Sequence, residues 1–143
     1  MLSLRERPAN AARSRRRSRV LWALAGEQGP DNRQVEQLPP QVVRANELAR
    51  ELGFPLTREE AGPGQPSACL PGTGRFLAVL AAGCRNGRIG EIGTGAGIGT
   101  AWMASAMPAD CTLVTVEVDQ RLAAAVAGLM AADHKVEVLA GDA

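Results

Sequence analysis

The chain has no tyrosine, one histidine, three cysteines, 3% aromatic residues and a net charge of +1. Each shortage excludes something. Cys69, Cys84 and Cys111 include no C-x-x-C pair and are odd in number, so they make neither a disulfide framework nor a paired-cysteine metal site. They read as free thiols of a reducing cytoplasm. The single histidine, His134, falls in a predicted loop between Asp133 and Lys135 and reads as solvated. No Ser–His–Asp set and no His/Cys/Asp/Glu cluster with metal-ligand spacing exists. No apolar stretch approaches the roughly 20 residues of a membrane span. A net charge near zero gives no global argument for nucleic acid. The scarcity of aromatics does not prevent a core, because hydrophobic residues still make up 45% of the chain. Its length is that of about one domain.

Charge is unevenly spread. Residues 1–20 carry seven arginines against Glu6, leaving 21–143 at −5. The run Arg13-Ser14-Arg15-Arg16-Arg17-Ser18-Arg19, followed by Val20-Leu21-Trp22-Ala23-Leu24-Ala25, superficially suggests a signal peptide. Its apolar part, about six or seven residues, is at or below the short limit for one, and no clear cleavage site follows. Residues 1–39 are expected to form a basic, disordered arm and linker, the one part suited to nucleic acid or an anionic surface. A start codon placed too far upstream would produce the same run.

Residues 41–52 have amphipathic helical spacing, with Val42, Ala45, Leu48, Ala49 and Leu52 on one stripe and Gly53 as the stop. The expectation is a helix covering the sheet. Residues 54–74, rich in proline and glycine, read as a loop without regular structure. A helix is predicted over 75–83, starting at Thr73 or Gly74, with Phe76, Leu77, Leu80, Ala81 and Cys84 buried. From Arg88 the rhythm is strand, helix, strand, helix, strand: 88–92, 97–107, 112–118, 120–132 and 136–139. Asp119 is the expected cap of the second helix, and Trp102 on the first is core. Such alternation means an α/β fold with parallel strands and right-handed crossovers.

The stretch 87–100 organises all of this. A short strand ends in an acid, and glycines then fall at 93, 95, 97 and 99 before an apolar helix. One glycine would serve a tight strand-to-helix turn; four point to a ligand lying against backbone. The dinucleotide pattern G-x-G-x-x-G fails in all three registers, because its third glycine would be Ile98, Thr100 or Trp102. No lysine follows, so a phosphate loop is also absent. What remains is Glu91-Ile92-Gly93-Thr94-Gly95-Ala96-Gly97, with Glu117 at the end of the next strand, 20 residues after Gly97, and Gly141-Asp142-Ala143 after the third.

These segments resemble the S-adenosylmethionine (SAM) site of class I methyltransferases, and most of all the small bacterial O-methyltransferases related to the catechol and caffeoyl-CoA enzymes. The resemblance spans roughly residues 40–143. It implies a Rossmann-like fold of which only the N-terminal half is present, strands 3-2-1 of the family's 3-2-1-4-5-7-6, with 40–143 as the SAM-binding half. It implies a cofactor site of Glu91, Gly93, Thr94, Gly95 and Gly97. Glu117 would bind the ribose hydroxyls; Asp142 and the backbone of Ala143 would read adenine. Thr73 would lie near the methionine end, although helix capping explains that threonine equally well. An acidic site with no lysine or arginine in its loop suits a sulfonium cation without phosphates.

The implied reaction is transfer of a methyl group to an oxygen of a small molecule, in the cytoplasm. The resemblance leaves room for a divalent metal in a longer enzyme, but no ligands for one can be matched here, and no catalytic base. Its N-terminal helices admit a homodimer. Strand 1 would be a bare edge where the sheet centre belongs, so the chain is expected to be a fragment of a longer enzyme or a truncated reading frame. Two other readings stand beside this one. One is half of a nicotinamide-dependent oxidoreductase; the other is a non-catalytic protein that binds SAM, or nucleic acid through its arginine arm.

Overall fold

In the computed structural model, residues 37–64 and 67–142 are described. The expectations for the arginine-rich arm, and that for Ala143, lie outside the described residues.

Three strands form one parallel sheet in the order β1-β2-β3: β1 Arg88–Ile92, β2 Thr112–Glu117 and β3 Val136–Ala140. This is the expected 3-2-1 arrangement. Leu113, Thr115 and Glu117 are buried on one face of β2, and Val114 and Val116 are half-buried on the other. A strand covered on both sides needs this unbroken run of β-branched and apolar residues.

Among the described residues, four helices of useful length accompany the sheet: α1 Pro40–Glu51, α3 Pro71–Ala82, α4 Ile98–Ala106 and α5 Gln120–Met130. The centre of the unit is α4, in which every residue from Ile98 to Ala104 is buried. Its Ile98, Ala101 and Trp102 pack with Val42, Ala45 and Ala49 of α1 and with Val126 and Met130 of α5. Met103, Ala104 and Met107 make a second cluster with Ala81, Cys111 and Leu113. Thus α1 rests chiefly on α4 and α5 rather than covering the sheet as expected. It starts at Pro40, where a proline costs nothing because the first N–H has no helical partner. It ends at Gly53, whose φ of +70° lets the chain reverse.

The supposed loop over 54–74 is more ordered than expected. A short helix, α2 Arg58–Ala61, is held by a capping box: Thr57 Oγ1 accepts from Glu60 N at 3.1 Å, and Glu60 Oε2 accepts from Thr57 N at 3.2 Å. Then α3 begins at Pro71, two to three residues before the expected start, so Thr73 lies inside its first turn and is not a cap.

The expected buried face of α3 is also corrected. Phe76 and Leu80, with Val79, are more than half exposed; Ala81 is buried as expected, Leu77 and Cys84 are half-buried, and the helix also turns Gly74 inward. Gly74 explains the choice: a Cβ there would stand 2.1 Å from the indole of Trp102, so α3 approaches α4 along its glycine side. From Phe76 to Ala82 the helix is apolar throughout, and the face carrying Phe76, Val79 and Leu80 has no cover among the described residues. Among the described residues β1 likewise has no strand on its outer side, and Ile92 is 80% exposed.

Candidate functional site

At the end of β1 the chain turns through Gly93, Gly95 and Gly97, with φ of +82°, +55° and +79°. A side chain at such values costs about 1–2 kcal/mol per residue. Gly97 carries a second constraint, because a Cβ there would lie 2.8 Å from Val126 Cγ1 of α5. Gly99 has an ordinary backbone, but its Cβ would lie 2.8 Å from Glu91 Oε1. Gly97 and Gly99 are therefore favoured by packing inside the protein, whatever ligand the loop meets. Gly93 and Gly95 have no such crowding.

The loop is tied to β2 by its own N–H groups. Gly93 N and Thr94 N donate to Val116 O at 2.9 and 3.3 Å, and Gly97 N donates to Thr94 O at 3.0 Å. Gly95 N donates to Glu117 Oε2 at 2.8 Å, while Glu117 Oε1 accepts from Asp119 N at 3.0 Å. Asp119 caps α5 as expected, accepting from Arg121 N and Leu122 N. Thr94 Oγ1 is buried 2.6 Å from Thr115 Oγ1. A pyrophosphate would need these N–H groups free, and would meet two carboxylates instead.

Glu91 points into the body of the unit and accepts from Thr100 Oγ1 at 2.5 Å. Burial raises its pKa, and the hydroxyls of Thr100 and Thr115, which favour the charged form, lower it in part. The neighbouring Cys69 thiol is also pushed up, first by burial and then by the charge of Glu91.

A cavity of about 420 Å³ opens against this loop. Of the sequence-predicted site residues, Glu91, Gly93, Thr94, Gly95 and Thr73 line it. Gly97 and Glu117 do not; Glu117 stands behind Gly95 and is 7% exposed. Asp142 is exposed at the end of β3, where the adjacent Gly141 N donates to Glu117 O at 2.9 Å. The sequence reading missed Arg58, Cys69 and Ile98 on the cavity wall. The Thr57-x-x-Glu60 box was the available signal for an ordered segment carrying Arg58. Among the described residues, no group of three His, Cys, Asp or Glu side chains could hold a metal ion.

Comparison with known proteins adds to this geometry. No protein-family model matches the chain. A catechol O-methyltransferase of Niastella koreensis is 42% identical over 69 residues, which cover 48% of this chain and 31% of that enzyme. The O-methyltransferase of tomaymycin synthesis from Streptomyces achromogenes, in complex with SAM, superposes with a TM-score of 0.56 at 29% identity, covering 76% of this chain and 46% of that one. The O-methyltransferase of Bacillus cereus in complex with SAH gives 0.56 at 22% identity, with the same coverage, and bears on the fold alone. The chain is thus similar in sequence and fold to bacterial O-methyltransferases, and it spans less than half the length of each of these relatives.

Proposed function

We propose that this chain is the cofactor-binding half of a SAM-dependent O-methyltransferase acting on a small molecule. The observation that carries the reading is the pairing of an acidic residue at each of two adjacent strand ends, Glu91 and Glu117, with a glycine loop in which the N–H groups of Gly93, Thr94, Gly95 and Gly97 are already bonded within the protein. Such a site suits a cationic ligand with hydroxyls and disfavours a phosphate.

SAM, when bound, supplies an electrophilic methyl group on a sulfonium. This chain's residues would hold it. A carboxylate has about four acceptor positions, and Glu117 uses two of them on Gly95 and Asp119, leaving the others for ribose hydroxyls. Gly93 and Gly95 let the ligand lie against backbone. Glu91 gives the cavity its negative charge, while Leu77 and Ile98 keep its wall dry. Asp142, beyond β3, remains the proposed partner of the adenine amine. Alignment of an acceptor oxygen with the methyl group is worth roughly 7–11 kcal/mol. The groups that would align and deprotonate it belong to the rest of such an enzyme, and the free edge of β1 is where its sheet would continue, as in the doubly wound order 3-2-1-4. Three unpaired thiols fit a cytoplasmic protein; among the described residues no helix is long and apolar enough to cross a membrane.

Isothermal titration of the chain with SAM and with NAD tests the reading. SAM alone is expected to bind. Preference for NAD would restore the oxidoreductase reading, and binding of neither would remove the cofactor site.

A further inference from the structure

The loop cavity holds three titratable side chains, Arg58, Cys69 and Glu91. The Cys69 thiol stays neutral, since burial and Glu91 both disfavour its thiolate. The cavity therefore presents one cation and one carboxylate. Arg58 is exposed, but its backbone is fixed. It is the first residue of α2, set in place by the Thr57–Glu60 capping box and by Gly62 N donating to Arg58 O at 3.2 Å. Among the described residues its guanidinium has no hydrogen-bond or ion-pair partner. Glu60 is committed to the capping box, through Leu56 N at 2.7 Å and Thr57 N at 3.2 Å. Glu59, next to Arg58, lines two neighbouring cavities that Arg58 also borders, but it does not reach this one.

A ligand end matching this pair must carry an ammonium and a carboxylate together. A phosphate would gain from Arg58 and lose against Glu91; a simple amine would leave Arg58 unused. We propose that Arg58 anchors the α-carboxylate of the amino-acid end of SAM while Glu91 receives its ammonium, so that one cavity reads both charges of the zwitterion. This inference rests on the SAM reading above. Planar guanidinium and carboxylate pair through two parallel hydrogen bonds, which gives orientation as well as affinity.

The test is calorimetric titration of the full chain with SAM and with decarboxylated SAM, which keeps the sulfonium and an amine but lacks the carboxylate. The wild-type protein is expected to bind SAM about tenfold more tightly than the decarboxylated form, one charge-assisted contact's worth of discrimination. Arg58→Gln should weaken SAM by about tenfold and bring the two ligands within about twofold of each other, and Arg58→Lys should recover part of the preference. Glu59→Gln should leave the preference unchanged. Arg58 is exposed, so its replacement should leave the melting temperature in place. An Arg58→Gln protein that keeps the wild-type ratio, or weakens both ligands equally, overturns the proposal while leaving the SAM site standing. A wild-type chain that binds neither ligand overturns both.

Discussion

Glu117, at the end of β2, holds the backbone N–H of Gly95 at 2.8 Å and that of Asp119 at 3.0 Å, so one carboxylate joins the glycine loop to the start of α5. Glu117→Ala leaves a part-buried loop N–H unpaired, and a melt without ligand should show a loss of about 1–3 kcal/mol. With SAM at a hundred times its dissociation constant, the wild-type chain should gain about 2.7 kcal/mol and the variant much less. An equal gain in both would remove Glu117 from the proposed ribose contact.

Gly74 and Gly72 lie on the same turn of α3 but in different surroundings. Gly74→Ala drives a methyl group into the Trp102 indole and should cost about 1–3 kcal/mol, as overpacking does. Gly72→Ala meets nothing within 4 Å and should be neutral, or stabilising by up to about 1 kcal/mol. Urea denaturation of the two variants, compared with wild type, measures the difference. Equal effects would mean that α3 does not sit on α4 as described.

The raised pKa of Glu91 sets a pH dependence. Between the ordinary glutamate range and the raised value, the folded form holds a proton that the unfolded chain has lost, so the stability it contributes is present at acid pH. That stability declines as pH rises from the ordinary glutamate range through the raised value. Glu91→Gln should abolish this part of the slope, read as the difference between the two stability–pH curves. Thr100→Val removes a hydroxyl that favours the charged form and should carry the decline to higher pH. A difference curve that is flat for Glu91→Gln would put the carboxyl in ordinary solvent.

Lys135 Nζ donates to Ala104 O and Met107 O, both at 3.2 Å, at the carboxyl end of α4. A cation there satisfies carbonyls that the helix cannot and complements its dipole. Lys135→Met should cost about 1–2 kcal/mol in thermal or urea unfolding. No loss would show that water serves those carbonyls equally well.

What the sequence made legible was local chemistry. The bounds of β1 and the cap at Asp119 follow from two isoleucines leading into a glycine turn and from a side chain bonding its own neighbourhood. The glycine loop was visible for the same reason, since positive φ belongs to the residue itself. The outward face of α3 was not legible, because Phe76, Leu77, Val79, Leu80 and Ala81 are all apolar, and only the fit of Gly74 against Trp102 decides which side turns in. Arg58 escaped notice because proline and glycine on either side hid a four-residue helix. The glycines at 97 and 99 owe their places to Val126 and Glu91, neither of which is a neighbour in sequence.

Lys135 has a second consequence. It is fixed to the far end of α4 and leads directly into β3, and β3 returns through Gly141 to Glu117, which grips Gly95 at the near end of the same helix. Loop, helix, lysine, strand and carboxylate form a closed mechanical ring with α4, about 14 Å long, as its rigid spoke. Holding the glycine loop is therefore expected to slow amide exchange at both ends of β3 in step.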